Sequence, residues 1–377
     1  MFTSQTSSFQ ESIDVDERDV DFDNEEIAGY SQNIQQINSY YAIYYYQNTS
    51  LTLLDASLPP EAEPELRSYI SRRLSKGALL GGMGNIATVE LSIPEQAVGC
   101  YCCLLEQEKS PEQPEADGNG WVVCLLGGSE KGLNLFRIEL DKYVQGLQGC
   151  LTPEVRTVFA TDNGNNMQNL ETQVRPYVIR WYEESVMHIH RVVQLVQANV
   201  GYLLHAALSH KLFEVTGADE KTKADIARFI KAASLQGLVQ EASLCKAISE
   251  DSHSSLIIDC STSPPTLTNE VSNRFCDDWI QAFLNAAERF NPFLLRQILE
   301  NFKLKAIQDM NNLKRFIRQA EMSHYALFRC CLFLQSCGNG DVLLQNARAE
   351  HSSLPEACGI INVLEEFLRE HAQGTLY

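Results

Sequence analysis

The chain has 377 residues, of which 44% are hydrophobic and 21% charged, and its formal net charge at pH 7 is −19. This composition excludes a wholly disordered chain, and the length exceeds what one hydrophobic core usually supports, so we expect two domains. Nucleic acid and anionic lipid both repel an acidic chain. We therefore expect no nucleic-acid partner, and membrane attachment only through other proteins.

Residues 1–38 are predicted to be a disordered acidic tail. Nine carboxylates and one arginine lie between Glu11 and Glu26, with few core-forming side chains among them. Such a block repels itself and cannot bury enough apolar surface to fold. The N-terminus shows no basic segment followed by an apolar one, so we expect no signal peptide. The twelve cysteines are then expected to be free thiols in the cytoplasm.

Residues 39–148 are predicted to form a longin-like α+β domain. Alternation and helical spacing predict elements in the order β-β-α-β-β-β-α, which is the order of a longin-type domain, an antiparallel sheet flanked by helices. The two helices, over 64–76 and 130–147, are expected to bury Leu66, Ile70, Phe136 and Leu140 against the sheet. The predicted strands cover residues 40–47, 50–56, 86–93, 98–105 and 121–126.

The remainder is predicted to be a linker over 149–166 and a mainly helical domain over 167–377. Apolar residues from Ile179 to Ala207 recur at spacings of three and four, which predicts one long helix. A small β-hairpin is expected near 243–259. Several helices should follow, interrupted near Pro292, Gly338–Gly340 and Pro355.

No segment is predicted to cross a membrane. The longest charge-free stretch runs from Val192 to His210 and contains polar residues that are unfavourable in hydrocarbon, including Gln194 and Asn199.

Cysteine and histidine pairs are the obvious candidates for metal ligands. Cys100 and Cys103 form a C-x-x-C, but a zinc site needs about four ligands and positions three apart in a strand face opposite sides. His188 and His190 lie far apart around a helix, so they cannot share a metal, and we expect one to be half-buried and the other exposed. We therefore expect no metal site and structural thiols.

Two glycine-rich turns leave an alternative function open. The turn Gly127–Gly132 lies between a strand and a helix, where a phosphate could bind, but it lacks the lysine position of a P-loop. Gly81–Gly84 lacks a full dinucleotide fingerprint. We find no catalytic motif, so we expect no catalytic residue and no cofactor. Catalytic groups need not be adjacent in sequence, so a nucleotide-binding regulator or uncharacterised enzyme stays the alternative.

A basic segment is the candidate partner-binding site. Residues 291–330 hold seven basic and three acidic side chains. Exposed aliphatic residues among arginines and lysines suit a partner interface. A solvated basic face, internal ion pairing and contact with lipid are the alternatives. The candidate residues are Lys303, Leu304, Ile307, Lys314, Arg315 and Arg318.

Three long segments resemble the Njmu-R protein family. They are residues 58–77 (LPPEAEPELRSYISRRLSKG), residues 126–147 (LGGSEKGLNLFRIELDKYVQGL) and residues 273–330, which begin NRFCDDWIQAFLNAAERFNPF. The resemblance covers most of 40–370 and lapses in the acidic tail, at 106–120 and in the linker.

The resemblance implies a non-catalytic adaptor subunit of a vesicle-tethering complex at the trans-Golgi network, with a role in spermatogenesis. The implied partners are a large WD-repeat protein and a FAM-ninety-one-type protein. The complex is expected to act with a TBC-domain bridging protein and to help golgins capture endosome-derived vesicles that carry clathrin adaptors. No catalytic residue is implied.

Overall fold

An antiparallel sheet forms the N-terminal part of the protein in the computed structural model, which describes residues 39–79, 83–92, 96–106, 120–150, 170–235, 255–351 and 353–374. Its strands are β1 Tyr40–Gln47, β2 Ser50–Ala56, β3 Asn85–Leu91, β4 Gln96–Glu106 and β5 Gly120–Leu126. They lie in the order β2-β1-β5-β4-β3, with every neighbouring pair antiparallel. The predicted longin-like sheet is confirmed.

Some sequence predictions fall on residues outside this description. They are the tail at 1–38, most of the linker at 149–166, most of the loop at 106–120 and most of the hairpin near 243–259.

One face of the sheet packs against helix α1, Glu63–Ser75. Pro64 lies in its first turn, where a proline removes no helical hydrogen bond. Leu66, Ile70 and Leu74 recur at spacings of four, so they share one side of the helix and are buried. They form a core with inward-facing strand residues that include Tyr44 and Cys102.

The opposite face packs against α2, Glu130–Asn134, and α3, Arg137–Cys150. Phe136 and Leu140 are fully buried there, as predicted. The single helix expected over 130–147 is interrupted between α2 and α3. All of β5 is buried, because helices cover the sheet on both faces.

The prediction of one long helix over 179–207 is wrong. The chain forms short helices instead, and a 3-10 turn at Gln197–Asn199 begins with Gln197 at a positive φ of 52°. The segments pack on different neighbours, since α5 contacts α3 whereas α6 contacts α8 and α9. Tertiary packing therefore overrides the periodic pattern. After a π-helical turn at Leu170–Val174, the helices are α4 Arg175–Val178, α5 Trp181–Ser185, α6 His188–Val196, α7 Val200–Leu208, α8 Glu220–Ala233 and α9 Arg274–Glu288.

A small sheet of three strands lies within this helical part. Its strands are β6 Phe213–Thr216, β7 Leu256–Asp259 and β8 Thr266–Thr268. The central β7 pairs in parallel with β6 and antiparallel with β8.

Four further helices end the described chain, and the interruptions predicted at Pro292, Gly338–Gly340 and Pro355 are confirmed. Gly338 has a φ of 76°, a left-handed conformation that ends a helix without the steric cost of a Cβ atom. An additional break at 321–323 has no glycine or proline to mark it. The helices are α10 Pro292–Ala320, α11 His324–Cys337, α12 Gly340–Glu350 and α13 Pro355–Gly374.

The start of α10 joins the helical part to the sheet part. Arg296 is buried, and its Nη1 donates to Glu139 Oε1 of α3 at 3.0 Å. The Phe293 ring lies edge-on to Phe136, with centroids 5.9 Å apart. One continuous core therefore runs from the second face of the sheet into the helices, and residues 37–377 form one compact unit.

Among the described residues, none of the helices combines the length and the apolar character that crossing a bilayer requires.

We predict that deleting residues 1–36 leaves the rest of the chain folded. The carboxylates of this segment cannot be buried without partners, and few apolar residues accompany them. The melting temperature of residues 37–377 should match that of the full chain within about 2 °C, a shift that corresponds to about 1 kcal/mol or slightly more for a chain of this length. A large loss of thermal stability would contradict this.

We predict that Arg296→Met destabilises the protein by about 3–5 kcal/mol, because it leaves the partly buried Glu139 carboxylate without its cation. Arg348→Met is the matched control. Arg348 pairs with Glu365 at 2.7 Å on a more exposed surface, so its loss should cost less than about 1 kcal/mol. Urea unfolding followed by circular dichroism measures both, and equal losses would contradict the proposed importance of Arg296.

Candidate partner interface

Helix α10 carries all six residues of the predicted partner-binding site. One side of this 29-residue helix is buried and includes Phe302, Ala306, Leu313 and Ile317, which recur at helical spacing. Ile298 and Phe316 are half-buried. The opposite side is therefore the one available to a partner.

The N-terminal half of the predicted site is largely occupied within the chain. Lys303 Nζ lies 3.0 Å from Glu300 Oε2, and its side chain is mostly covered. Ile307 is half-buried and packs against the core. Leu304 is 55% exposed, so it is available for contact.

The C-terminal half of the predicted site also contains both residues paired within the chain and residues exposed to solvent. Lys314 Nζ lies 2.6 Å from Glu350 Oε2 of α12, so an internal partner neutralises its charge. Arg315 and Arg318 are exposed. The structure thus leaves Leu304, Arg315 and Arg318 available, and it gives both lysines the internal ion pairs that the sequence left open as an alternative.

An exposed apolar stripe on α11 was missed in the sequence. Its residues recur at spacings of three and four, so they share one side of the helix. The opposite side buries Cys330 and Leu334. The sequence did not reveal the stripe because the break before α11 contains no glycine or proline. The start of α11 could not be located, and so neither could the side of the helix on which each residue lies. The stripe consists of Tyr325, Phe328 and Leu332, which are 70%, 57% and 48% exposed. Met322 in the preceding turn extends it and is 89% exposed.

Arginines border this stripe. The guanidinium carbons of Arg315 on α10 and Arg329 on α11 lie 5.8 and 5.9 Å from the centre of the Phe316 ring. Packing of the two helices therefore places both arginines beside the same aromatic ring. Phe316 also contacts Phe333 of α11, with ring centres 5.4 Å apart. Residues 315–332 contain three arginines and one carboxylate, Glu321. We name the arginine–aromatic surface as Arg315, Arg318, Met322, Tyr325, Phe328, Arg329 and Leu332.

The glycine turn considered for nucleotide binding is covered. Ser129 caps α2 by accepting a hydrogen bond from the Gly132 backbone at 3.1 Å. A Cβ atom at Gly128 or at Gly132 would lie 2.5 or 2.7 Å from the Phe293 ring. The glycines therefore admit Phe293, whose ring packs directly against the turn.

The histidines behave as structural residues. Both His188 and His190 are buried, so the expectation that one is exposed is wrong. His188 lies edge-on to Phe136, and burial lowers its pKa to about 3. His190 Nε2 lies 3.1 Å from the Ala287 carbonyl oxygen. The two rings have separate neighbours, as the helical spacing predicted.

The cysteines form a group that was not predicted. Cys100 and Cys103 face opposite sides of the sheet, as expected. The structure instead brings Cys100, Cys102 and Cys124 together on the face covered by α1. Pairing of β4 with β5 creates this group across 22 positions of sequence, a distance that local spacing cannot reveal.

Comparison with known proteins decides the family. A model of the Njmu-R1-like protein family matches residues 38–370. The chain belongs to this family. It is also 56% identical over 329 residues to the mouse (Mus musculus) protein named Protein Njmu-R1, covering 85% of this chain and 81% of that protein. The resemblance inferred from the three sequence segments is confirmed.

We predict that the purified protein carries neither nucleotide nor an equivalent of zinc. Phe293 covers the glycine turn, and the C-x-x-C cysteines face opposite sides of the sheet. Native mass spectrometry should show no mass increment that matches a nucleotide, and metal analysis should show less than about a tenth of an equivalent of zinc, because a structural zinc site is filled stoichiometrically. A fixed mass increment matching a nucleotide would contradict this.

Proposed function

We propose that this protein is a non-catalytic adaptor subunit of a vesicle-tethering complex at the trans-Golgi network. The function implied by the family resemblance supports this proposal, and the observation that carries it is the arginine–aromatic surface. A subunit without catalysis acts through the surfaces it offers to partners. Contiguous exposed apolar side chains bordered by polar residues are typical of such surfaces.

The composition of the surface suits protein recognition. Tyrosine, phenylalanine, methionine and arginine are enriched at protein interfaces, and tyrosine and arginine often dominate the binding energy. The segment 315–332 has a formal charge of +2, from three arginines and one glutamate, within a chain of −19. An acidic partner surface is therefore attracted to this segment, whereas the net negative charge of the whole chain would repel it.

In this proposal the direct partners are the large WD-repeat protein and the FAM-ninety-one-type protein. The TBC-domain bridging protein and the golgins act with the assembled complex, which helps to capture endosome-derived vesicles carrying clathrin adaptors. The protein is cytoplasmic and reaches the trans-Golgi network and cytoplasmic vesicles peripherally, through its partners. A role in spermatogenesis belongs to the same proposal.

The alternative of a nucleotide-binding regulator has less support. It depended on the Gly127–Gly132 turn, and the Phe293 ring lies against Gly128 and Gly132. Helix α2, which follows the turn, has only five residues and so offers a weak helix dipole.

The test uses two variants of the tagged full chain expressed in cells. Arg315→Glu with Arg318→Glu reverses the charge of the surface, and Tyr325→Ser with Phe328→Ser removes its aromatic side chains. Lys314 is left intact, because a glutamate there would face Glu350 and disturb the fold. Each variant should recover at least about tenfold less of the WD-repeat and FAM-ninety-one-type proteins, since a dominant interface residue contributes about 2 kcal/mol.

Matched controls separate the surface from general effects. Lys221→Glu with Lys231→Glu makes the same charge change at exposed positions of α8. Ile138→Ser with Ile179→Ser removes two other exposed apolar side chains, which are 62% and 55% exposed. All four proteins should keep the melting temperature of the parent. If the folded surface variants retain both partners, the surface is not the interface; if the unmodified chain recovers neither partner, the proposed function is wrong.

A further inference from the structure

Three buried thiols meet on the sheet face beneath α1. Cys100 and Cys102 are two positions apart in β4, so their side chains point to the same face. Cys124 of β5 lies directly opposite Cys102 in the strand register. The Cys102 sulfur lies 3.3 Å from that of Cys100 and 3.4 Å from that of Cys124. All three sulfurs lie within 4.8 Å of one another.

The group is enclosed by protein. Each of the three cysteines is at most 2% exposed, and apolar neighbours such as Leu104 and Val122 surround them. Buried thiols pack like small hydrophobic side chains, so burial alone does not indicate a metal site. The observation that points to one is that the three sulfurs lie within 4.8 Å of one another, which offers a thiophilic ion three soft donors.

A cation lies near the thiols. Helix α1 carries Arg73 and Tyr69, and Arg73 Nε donates to the Tyr69 hydroxyl oxygen at 3.1 Å. The positive charge of Arg73 acts on Cys100 and Cys102. It can therefore offset part of the negative charge that thiolate ligands bring to a metal site.

The number and type of donors select the ion. Structural zinc takes four ligands in tetrahedral geometry, and this group supplies three. Soft thiolate ligands favour Cu(I), which also accepts three sulfurs in a plane. Calcium and magnesium require oxygen ligands, and the group has none.

We propose that Cys100, Cys102 and Cys124 form a binding site for one Cu(I) ion, with Arg73 as a nearby compensating charge. The ion arrives as Cu(I), so binding involves no electron transfer. Sulfur–copper bonds form, and the protons of those thiols that are still protonated pass to solvent, as in other thiolate metal sites. This site is independent of the arginine–aromatic surface and adds to the adaptor function.

The test loads the full-length protein with Cu(I) without oxygen, in the presence of a reductant. One portion is loaded while folded, and another is unfolded and refolded with the ion, because α1 covers the site. We expect one equivalent of copper that resists a chromogenic Cu(I) chelator and gives a sulfur-to-copper absorption band in the near ultraviolet. X-ray absorption at the copper edge should show three sulfur neighbours and no nitrogen or oxygen.

Cysteine variants locate the ion. Cys102→Ser and Cys124→Ser should each lower the chelator-resistant copper at least tenfold, whereas Cys103→Ser should retain one equivalent. Cys103 is the matched control, because it is equally buried on the same strand but faces the other side of the sheet. If a variant does not fold, the sulfur count of the unmodified protein decides. Copper removed by the chelator, fewer than three sulfurs, unchanged binding in both variants, or tighter binding of zinc than of Cu(I) would each overturn the site.

Discussion

The contact between the first turns of α10 and the second face of the sheet holds the two parts of the molecule together. Phe293 lies against Gly128 and Gly132, which have no side chain to exclude it, and Arg296 reaches Glu139 one turn further along α10. The guanidinium also lies over the Phe136 ring, with its carbon 5.5 Å from the ring centre. Burial of an arginine is favourable only with its partners in place, so this junction fixes where α10 starts and in which direction it runs.

The direction of α10 determines what the molecule presents to others. The helix has 29 residues and so extends roughly 43 Å from the junction, at about 1.5 Å per residue. Its first turns are buried, whereas its last turns carry exposed Arg315 and Arg318. Helix α11 packs against this part of α10 and brings Arg329 and Phe333 to the Phe316 ring, next to Arg315. The proposed interface is thus held by a rigid element whose other end is anchored in the sheet.

Local sequence signals predicted the sheet well and the helical packing poorly. The bounds of β1 and β2 agree with the prediction because Asn48-Thr49 marks a two-residue turn between two β-prone runs. The helix breaks at 197–199 and 321–323 were missed because neither contains glycine or proline, although Gln197 has a positive φ. Because the break at 321–323 was not predicted, the exposed side of α11 could not be recognised from the sequence.

The candidate sites show the same limit. Sequence identified Arg315 and Arg318 as basic residues on a helical side, but the acidic partner of Lys314 lies 36 positions away in Glu350. The thiol group likewise depends on which strand pairs with β4. Charge and spacing in the sequence identify side chains that could bind a partner or a metal. Contacts between distant parts of the chain decide which of those side chains already have a partner within the protein.

The sheet separates two hydrophobic cores that differ greatly in size. The core under α1 is made by that helix, its flanking residues and one sheet face, whereas the other extends through the helical part. Separate cores allow a protein to open in parts, each with its own free energy below that of global unfolding. Helix α1 can therefore detach while the larger core stays intact. Its amide hydrogens should exchange with solvent sooner than those of α3, and the same opening gives solutes access to the first face of the sheet without unfolding the rest of the molecule.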